Sequence, residues 1–344
     1  MKKKVLLLGS TGSVGKQTLE VIRLFPDDFE VVGLSAHSNI TLLTEQAREF
    51  SVSQLCCTNA RVSQSNIFRG EEGLLQMIAE TSADIAVLAV SGGNPAKYAR
   101  AIIGRGIPLA LASKEALVCD GAELMRLSKE HNAPVLPIDS EHSAIWQCLR
   151  GRSIADVRAL WLTCSGGPFA EKEKFPLDTL RHVSPKQALA HPTWKMGKKI
   201  SIDSATLMNK ALEVIEAHFL FGIAPENIHV VIHRQSQLHS AVEFADGSFL
   251  GQMGTADMRI PIAHALFFPK TPSLPFPAFS LFGKIWTFEE VDEDRFPSIT
   301  FAKTAIAKGK CAELNAANDA AVHQFLKGEI GFLDIFAKVR NALE

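Results

Sequence analysis

Long apolar runs, paired cysteine motifs and a surplus of either charge are all missing from this chain of 344 residues. Lys2 to Lys4 precede only Val5 to Leu8 before a glycine, which is too short for a signal-peptide core or a membrane span. The chain is therefore expected to be unexported and cytoplasmic, with no membrane partner. Lysine and arginine number 36 against 37 aspartate and glutamate, so there is no basic field to draw in nucleic acid. The six cysteines (Cys56, Cys57, Cys119, Cys148, Cys164 and Cys311) show no CxxC or zinc-like spacing. They fit reduced thiols in a cytosol, and none is given a role. At this length one ordinary core does not suffice, and two or three domains are expected.

What is present begins with a short β-prone run, Val5 to Leu8, leading into Gly9-Ser10-Thr11-Gly12-Ser13-Val14-Gly15. Thr18, Leu19, Val21, Ile22 and Phe25 then carry a helical stripe. Strand, glycine turn and helix together suit a pyrophosphate seated on the free N–H groups at a helix N-terminus. The spacing is GxxGxxG rather than GxGxxG, so the flanking elements carry more of the argument than the motif does. The next strand, Phe29 to Ser35, ends in Ala36-His37-Ser38-Asn39 with no carboxylate before Glu45. An NAD site usually offers an acidic residue there, so Ser38, Asn39 and His37 favour the 2′-phosphate of NADP. Apolar strands at Ile85–Val90, Pro108–Ala112 and Pro134–Ile138 alternate with helix-like segments, which predicts a doubly wound parallel sheet. Three polar tips lie at its carboxyl edge: Ser91 to Asn94, Ser113-Lys114-Glu115 and Asp139-Ser140-Glu141.

The last of these organises the rest. Asp139 and Glu141, two residues apart, project the same way from extended chain, and hard oxygen donors at a strand end suit a divalent cation. On this segment alone a helix cap by Asp139 or Ser140 is the simpler account. Beyond residue 150, Val157 to Thr163 reads as a strand that ends in Cys164-Ser165-Gly166-Gly167-Pro168, a turn able to present N–H groups and a hydroxyl to phosphate. From Phe169 to Lys199 the chain is polar and aperiodic, the pattern of a functional lid, and Trp194 and Met196 within it favour that role. Asp203-Ser204 reads as the cap of a helix running to about Phe221 that is apolar nearly all round. Asn209 and Glu213 share a face of it, with Lys210 beside them. A carboxylate there needs a metal or a cationic partner. Glu213 is therefore the candidate third ligand to Asp139 and Glu141, an internal Lys210–Glu213 pair fits as well, and Glu216 is read as solvated or paired at the helix end. Ile228–Ile232, Ser240–Phe244 and Ser248–Gln252 read as antiparallel strands, with His233 and His239 structural. Pro269 to Pro277 reads as a linker, and Phe301–Ile306, Asn315–Leu326 and Leu333–Leu343 as helices.

The motifs GSTGSVG (9 to 15), SKEALV (113 to 118), PIDSEHSAIWQ (137 to 147), SGGPF (165 to 169), HPTWKMG (191 to 197), KISIDSATLMNKALEVIEA (199 to 217) and LNAAND (314 to 319) together resemble those of the 1-deoxy-D-xylulose 5-phosphate reductoisomerases. The resemblance implies an NADPH-dependent enzyme that rearranges and reduces a sugar phosphate with the help of Mg²⁺, Mn²⁺ or Co²⁺, and that works as a homodimer. It implies metal ligands Asp139, Glu141 and Glu213. Substrate contacts carried over are Lys114, Ser140, Glu141, Ser165, His191, Trp194, Met196, Ser204, Asn209, Lys210 and Glu213, with Lys114, Glu141 and His191 as the catalytic set. Cofactor contacts carried over are Gly9, Ser10, Thr11, Gly12, Ser13, Val14, Ser38, Asn39, Ser113, Glu115 and Gly197. The implied fold is α/β: a Rossmann-like domain over 1–139, a central α+β catalytic and dimerisation domain with a mainly antiparallel sheet over 140–267 and a flap over 165–198. A linker over 268–293 and a small helical domain over 294–344 complete it. The resemblance also implies a longer helical domain, so a shortened one is expected here. Ser113 stands where the family usually has Asn, and Ala256 where a proline is frequent.

Overall fold

Short buried runs of Val, Leu, Ile and Ala, each followed by a helix with one apolar face, build the first sheet. A computed structural model describes residues 1–59, 67–90, 92, 94–190 and 197–344. Strands β1 (Lys3–Leu8), β2 (Phe29–Ala36), β3 (Gln54–Cys57), β4 (Phe68–Arg69), β5 (Ile85–Leu88), β6 (Leu109–Leu111) and β7 (Val135–Pro137) lie parallel in the order β4-β3-β2-β1-β5-β6-β7. The crossovers are α1 (Ser13–Leu24), α2 (Ile40–Glu49), α3 (Gly70–Glu80), α4 (Ala96–Ile103) and α5 (Glu115–Glu130). Val5 to Leu8 and Ile85 to Leu88 are buried, as strands covered on both faces must be. Strand order reverses between β1 and β5, and a ligand of such a sheet binds beyond the strand ends at that point. β3 and β4 carry no alternation that the sequence could announce.

Helix α6 (Ser140–Cys148) follows β7, and beyond it a second sheet forms from β8 (Val157–Cys164), β9 (Ile228–Ile232), β10 (Leu238–Phe244), β11 (Phe249–Met253) and β12 (Glu289–Glu290), in the order β11-β10-β8-β9-β12. Pairings β8–β10, β10–β11 and β9–β12 are antiparallel. β9 departs from the antiparallel expectation by lying parallel to β8, because a long excursion returns the chain to the same edge in the same direction. That excursion is not one loop. It contains the short helices α7 (Leu177–Leu180) and α8 (Pro185–Ala188), then α9 (Lys198–Ala205) and α10 (Met208–Phe221). Asp203 and Ser204 therefore sit inside α9 rather than capping α10. The break falls at Leu207, which adopts a left-handed conformation at φ 57°.

The chain next forms α11 (Arg259–Phe267), which the sequence assigns to the central domain. The chain instead divides into two compact units, Met1–Ser143 with Asp257–Phe276, and Ala144–Ala256 with Pro277–Glu344. Helix α11 packs on α1: the Phe267 ring meets Phe25 and Phe29 edge-on at 4.9 and 4.8 Å. Lys3 Nζ donates to the carbonyls of Leu266 and Phe268 at 2.8 and 2.9 Å, a cation at the negative end of the helix. In the second unit, α12 (Ser298–Lys308), α13 (Cys311–Leu326) and α14 (Asp334–Leu343) close over α9 and α10 around Phe325, Phe332 and Phe336. His233 is structural, as expected: its Nδ1 donates to the Thr287 carbonyl at 3.1 Å and its Nε2 accepts from the N–H groups of Gln237 and Leu238. No helix among the described residues is long and apolar enough to cross a membrane.

Candidate functional site

In the first unit the glycine turn closes on itself at the switch point. A Cβ at Gly9, whose φ is +92°, would lie 2.3 Å from the Ala89 carbonyl oxygen, and one at Gly15 would lie 2.2 Å from the Gly9 oxygen. Only glycine fits either place, and Gly12 precedes α1 as its N-cap with no side-chain cap bond, so no capping side chain takes up the first N–H groups of the helix. That shape suits a pyrophosphate. Gly15→Ala is expected to cost about 3 kcal/mol through overpacking and to weaken NADPH binding, read by urea unfolding and by NADPH fluorescence titration. Ser10 is buried and donates to the Ser35 carbonyl at 3.2 Å, so it holds the turn against β2. Thr11 and Val14 are half-buried and Ser13 is exposed. At the end of β2, Asn39 Oδ1 caps α2 by accepting from the Leu42 N–H at 3.2 Å, and His37 bonds Thr58 Oγ1 at 3.0 Å. Ser38 is exposed beside them.

The ends of β6 and β7 supply polar groups of a different kind. Ser113 is buried with its hydroxyl 2.6 Å from the Val90 carbonyl, which ties β6 to β5. Lys114 is 7% exposed, and its Nζ lies 2.5 Å from Asp139 Oδ2. Ser140 Oγ donates to Glu141 Oε2 at 2.7 Å. Glu115 follows in the first turn of α5, where a carboxylate complements the helix dipole. Asp139 accepts the Ser143 N–H through its backbone carbonyl, the first bond of α6, and its carboxylate is paired with Lys114.

The second unit gathers its own cluster at the end of β8. Lys210 Nζ donates to the Thr163 carbonyl at 2.7 Å and to Glu213, and Asn209 Nδ2 donates to the other Glu213 oxygen at 2.5 Å. The internal Lys–Glu pair allowed by the sequence is therefore present, with both partners almost wholly buried. The turn that carries Ser165 packs against α9: a Cβ at Gly167 would fall 2.6 Å from the Ser204 carbonyl oxygen. Ser165, Ser204, Asn209 and Lys210 thus converge in one region, with hydroxyl, amide and ammonium donors fit to hold a phosphate. Gly197 starts α9 without a side-chain cap. Of the two readings of Glu216, solvated or paired, the first is excluded: it is 1% exposed, because α10 is buried on that side too. His191, Trp194 and Met196, with the rest of 191–196, lie outside the described residues, as do Ser91 and Gly93.

Asp139, half-buried in the first unit, and Glu213, buried in the second, are carboxylates balanced by ammonium groups, and carboxylate oxygens are the donors that hard divalent cations take. The chemistry of these oxygens suits such an ion, and the glycine turn suits a dinucleotide. Sequence reasoning missed Thr163, whose carbonyl orients Lys210, and Asp203, Arg295 and Asn318, whose partners are remote in the chain.

These features are those of a dinucleotide-binding α/β protein whose second unit carries a cluster of polar donors. Family models described as 1-deoxy-D-xylulose 5-phosphate reductoisomerase, its C-terminal domain, and the DXP reductoisomerase C-terminal domain match residues 5–121, 135–221 and 253–344. The 1-deoxy-D-xylulose 5-phosphate reductoisomerase of Pelotomaculum thermopropionicum is 46% identical over 99% of this chain and 91% of its own length. That of Lachnoclostridium phytofermentans is also 46% identical, over 99% and 91%. The Zymomonas mobilis enzyme, solved in complex with NADPH, superposes with a TM-score of 0.93 at 37% identity, covering 100% of this chain and 92% of that one. A further solved reductoisomerase, in complex with NADPH, fosmidomycin and magnesium, gives 0.93 at 37% identity, covering 99% and 89%. The chain belongs to the 1-deoxy-D-xylulose 5-phosphate reductoisomerase family.

Proposed function

We propose that this chain converts 1-deoxy-D-xylulose 5-phosphate to 2-C-methyl-D-erythritol 4-phosphate, by rearrangement to a branched aldehyde and reduction by NADPH, in the non-mevalonate route to isoprenoids. Family membership over nearly the whole chain carries this reading. NADPH is assigned to the glycine turn, with Thr11, Gly12, Ser13 and Val14 at the pyrophosphate and Ser38 and Asn39 at the 2′-phosphate. Asp139, Glu141 and Glu213 are assigned as ligands of Mg²⁺, Mn²⁺ or Co²⁺. When bound, the cation supplies Lewis acidity to the substrate's carbonyl and hydroxyl oxygens, and the nicotinamide supplies hydride. Ser165, Ser204, Asn209 and Lys210 hold the phosphate, and this remote binding energy fixes the carbon skeleton for reaction. Lys210 serves both sides, its ammonium already oriented by Thr163 and Glu213. Lys114, held against Asp139, donates a proton or hydrogen bond to a substrate oxygen. His191, Trp194 and Met196 are assigned to the substrate from their motif. A cytoplasmic homodimer completes the reading, and size-exclusion chromatography with light scattering tests the dimer.

The decisive assay is loss of NADPH absorbance with this substrate and Mn²⁺. Turnover is expected to vanish on exhaustive chelation and to return when Mn²⁺ is restored. Full turnover after chelation would point instead to a metal-independent NADP-linked dehydrogenase. Binding of NADPH without its oxidation would point to a non-catalytic nucleotide-binding protein.

A further inference from the structure

Two stretches that carry the proposed phosphate contacts, the turn after β8 and helix α9, are fastened from one C-terminal stretch of the second unit. Arg295 is 4% exposed, and its Nη2 donates to the carbonyls of Phe169 and Phe175 at 2.6 Å each. Asp292, beside it, accepts from the Arg295 N–H at 3.2 Å and pairs with Lys172 at 2.9 Å. Phe169 is buried and meets Phe175 and Phe332 edge-on at 5.2 and 5.4 Å. The chain just beyond Ser165 is thus held by side chains more than a hundred residues away.

Helix α9 is held the same way. Ser298, at the start of α12, donates to the Thr206 carbonyl at 2.8 Å, and both residues are fully buried. Asn318, on α13, donates to Asp203 Oδ1 at 2.8 Å, while Lys199 pairs with Asp203 at 2.7 Å and with Asp319 at 3.0 Å. Asp203 directly precedes Ser204. Burial pushes the Asp203 carboxyl above the usual carboxylate range and pulls the Arg295 guanidinium below the usual arginine value. Apolar side chains would fill this volume without the cost of burying charge. Buried donors of fixed direction, aimed at irregular main chain, do what apolar packing cannot, which is to set where a loop and a helix end relative to each other.

We propose that Arg295, Ser298 and Asn318 are positioning residues for the substrate phosphate, fixing the Ser165 turn and Ser204 at one separation without touching the ligand. This rests on the reading of Ser165 and Ser204 as phosphate contacts. It also gives the C-terminal helices a part in substrate binding rather than in stability alone.

The test compares Arg295→Met, Arg295→Lys, Asn318→Leu and Ser204→Ala by steady-state kinetics and by NADPH titration. Arg295→Met and Asn318→Leu are each expected to raise KM for the sugar phosphate about tenfold or more, with kcat within about threefold and NADPH affinity unchanged. Arg295→Lys, whose ammonium keeps N–H donors for the two carbonyls, is expected to recover most of the loss. A purely structural role would lower the melting temperature and leave that KM within about twofold, and with Ser204→Ala still raising KM it would overturn the proposal. If Ser204→Ala also leaves KM unchanged, the phosphate reading fails and this proposal fails with it. Should Arg295→Met not fold, Arg295→Lys and Asn318→Leu carry the same comparison.

Discussion

Glu213→Gln is expected to abolish most of the activity, lowering turnover at a fixed low Mn²⁺ concentration by about a hundredfold or more, on the scale of losing support for a catalytic metal. The side chain is 2% exposed on α10 and accepts from both Asn209 and Lys210. Glutamine keeps the shape but presents one oxygen and one NH2, so an amide donor must face either the Asn209 amide or the Lys210 ammonium. The buried Lys210 charge then has no anion on its own helix turn. Removing one partner of a buried pair costs about 3–5 kcal/mol, so a lower melting temperature is expected together with the loss of activity. Two measurements separate the effects. Excess Mn²⁺ restores turnover if the metal site is what was weakened, and NADPH affinity stays unchanged if the unit still folds. Glu216→Gln is the matched control, since Glu216 is buried one turn further along the same helix. A larger loss of Mn²⁺ affinity in Glu216→Gln than in Glu213→Gln would move the metal assignment along α10 by that turn.

Several local contacts among the candidate residues were legible because their chemistry is self-contained. The glycine turn lies between an apolar strand and an amphipathic helix, and it stands at the switch of a parallel sheet as that context requires. Lys114 and Asp139 stand at neighbouring strand ends and meet there. Lys210 and Glu213 are three residues apart on a buried helix, and an ion pair between them follows from helical geometry. What could not be read depends on partners remote in the chain. Asp203-Ser204 before an apolar run looks like a helix cap, yet the Asp203 carboxylate is taken up by Lys199 and by Asn318, 115 residues away. The actual break falls at Leu207, and a leucine at positive φ gives no signal, since leucine is disfavoured there. The period-two pattern of β9 serves a parallel neighbour as well as an antiparallel one, so its direction beside β8 was open. Strand β4 is a two-residue pairing with β3 that leaves no pattern in the sequence. Nor does anything in the composition of Asp257–Phe276 announce that α11 packs with the first sheet, since Phe267 meets Phe25 and Phe29 only in three dimensions.

Gly167→Ala is expected to damage substrate binding severely. The glycine has φ +69°, and the new Cβ would lie 2.6 Å from the Ser204 carbonyl oxygen, 3.3 Å from its carbon and 3.4 Å from Ala205 Cα. These are main-chain atoms of α9, which cannot rotate aside as a flexible side chain would. The left-handed backbone alone costs an L-residue about 1–2 kcal/mol, and relief of the clash requires the turn to move from the helix by most of an ångström. That movement separates Ser165 from Ser204 and tilts both away from Lys210, whose own place is fixed by the Thr163 carbonyl. A displacement of about 1 Å at a site that orients its substrate is worth about a hundredfold in rate. The loss should appear as a higher KM for the sugar phosphate and a lower kcat/KM, with NADPH affinity unaltered because the glycine cradle belongs to the other unit. Gly166→Ala is the informative partner. Its φ is also positive, at +83°, but its Cβ would meet the side chains of Ala170 and Ile232 rather than α9. If the two variants lose the same kcat/KM, backbone strain in the turn suffices as the cause, and the close packing of Gly167 on Ser204 does not set the phosphate site.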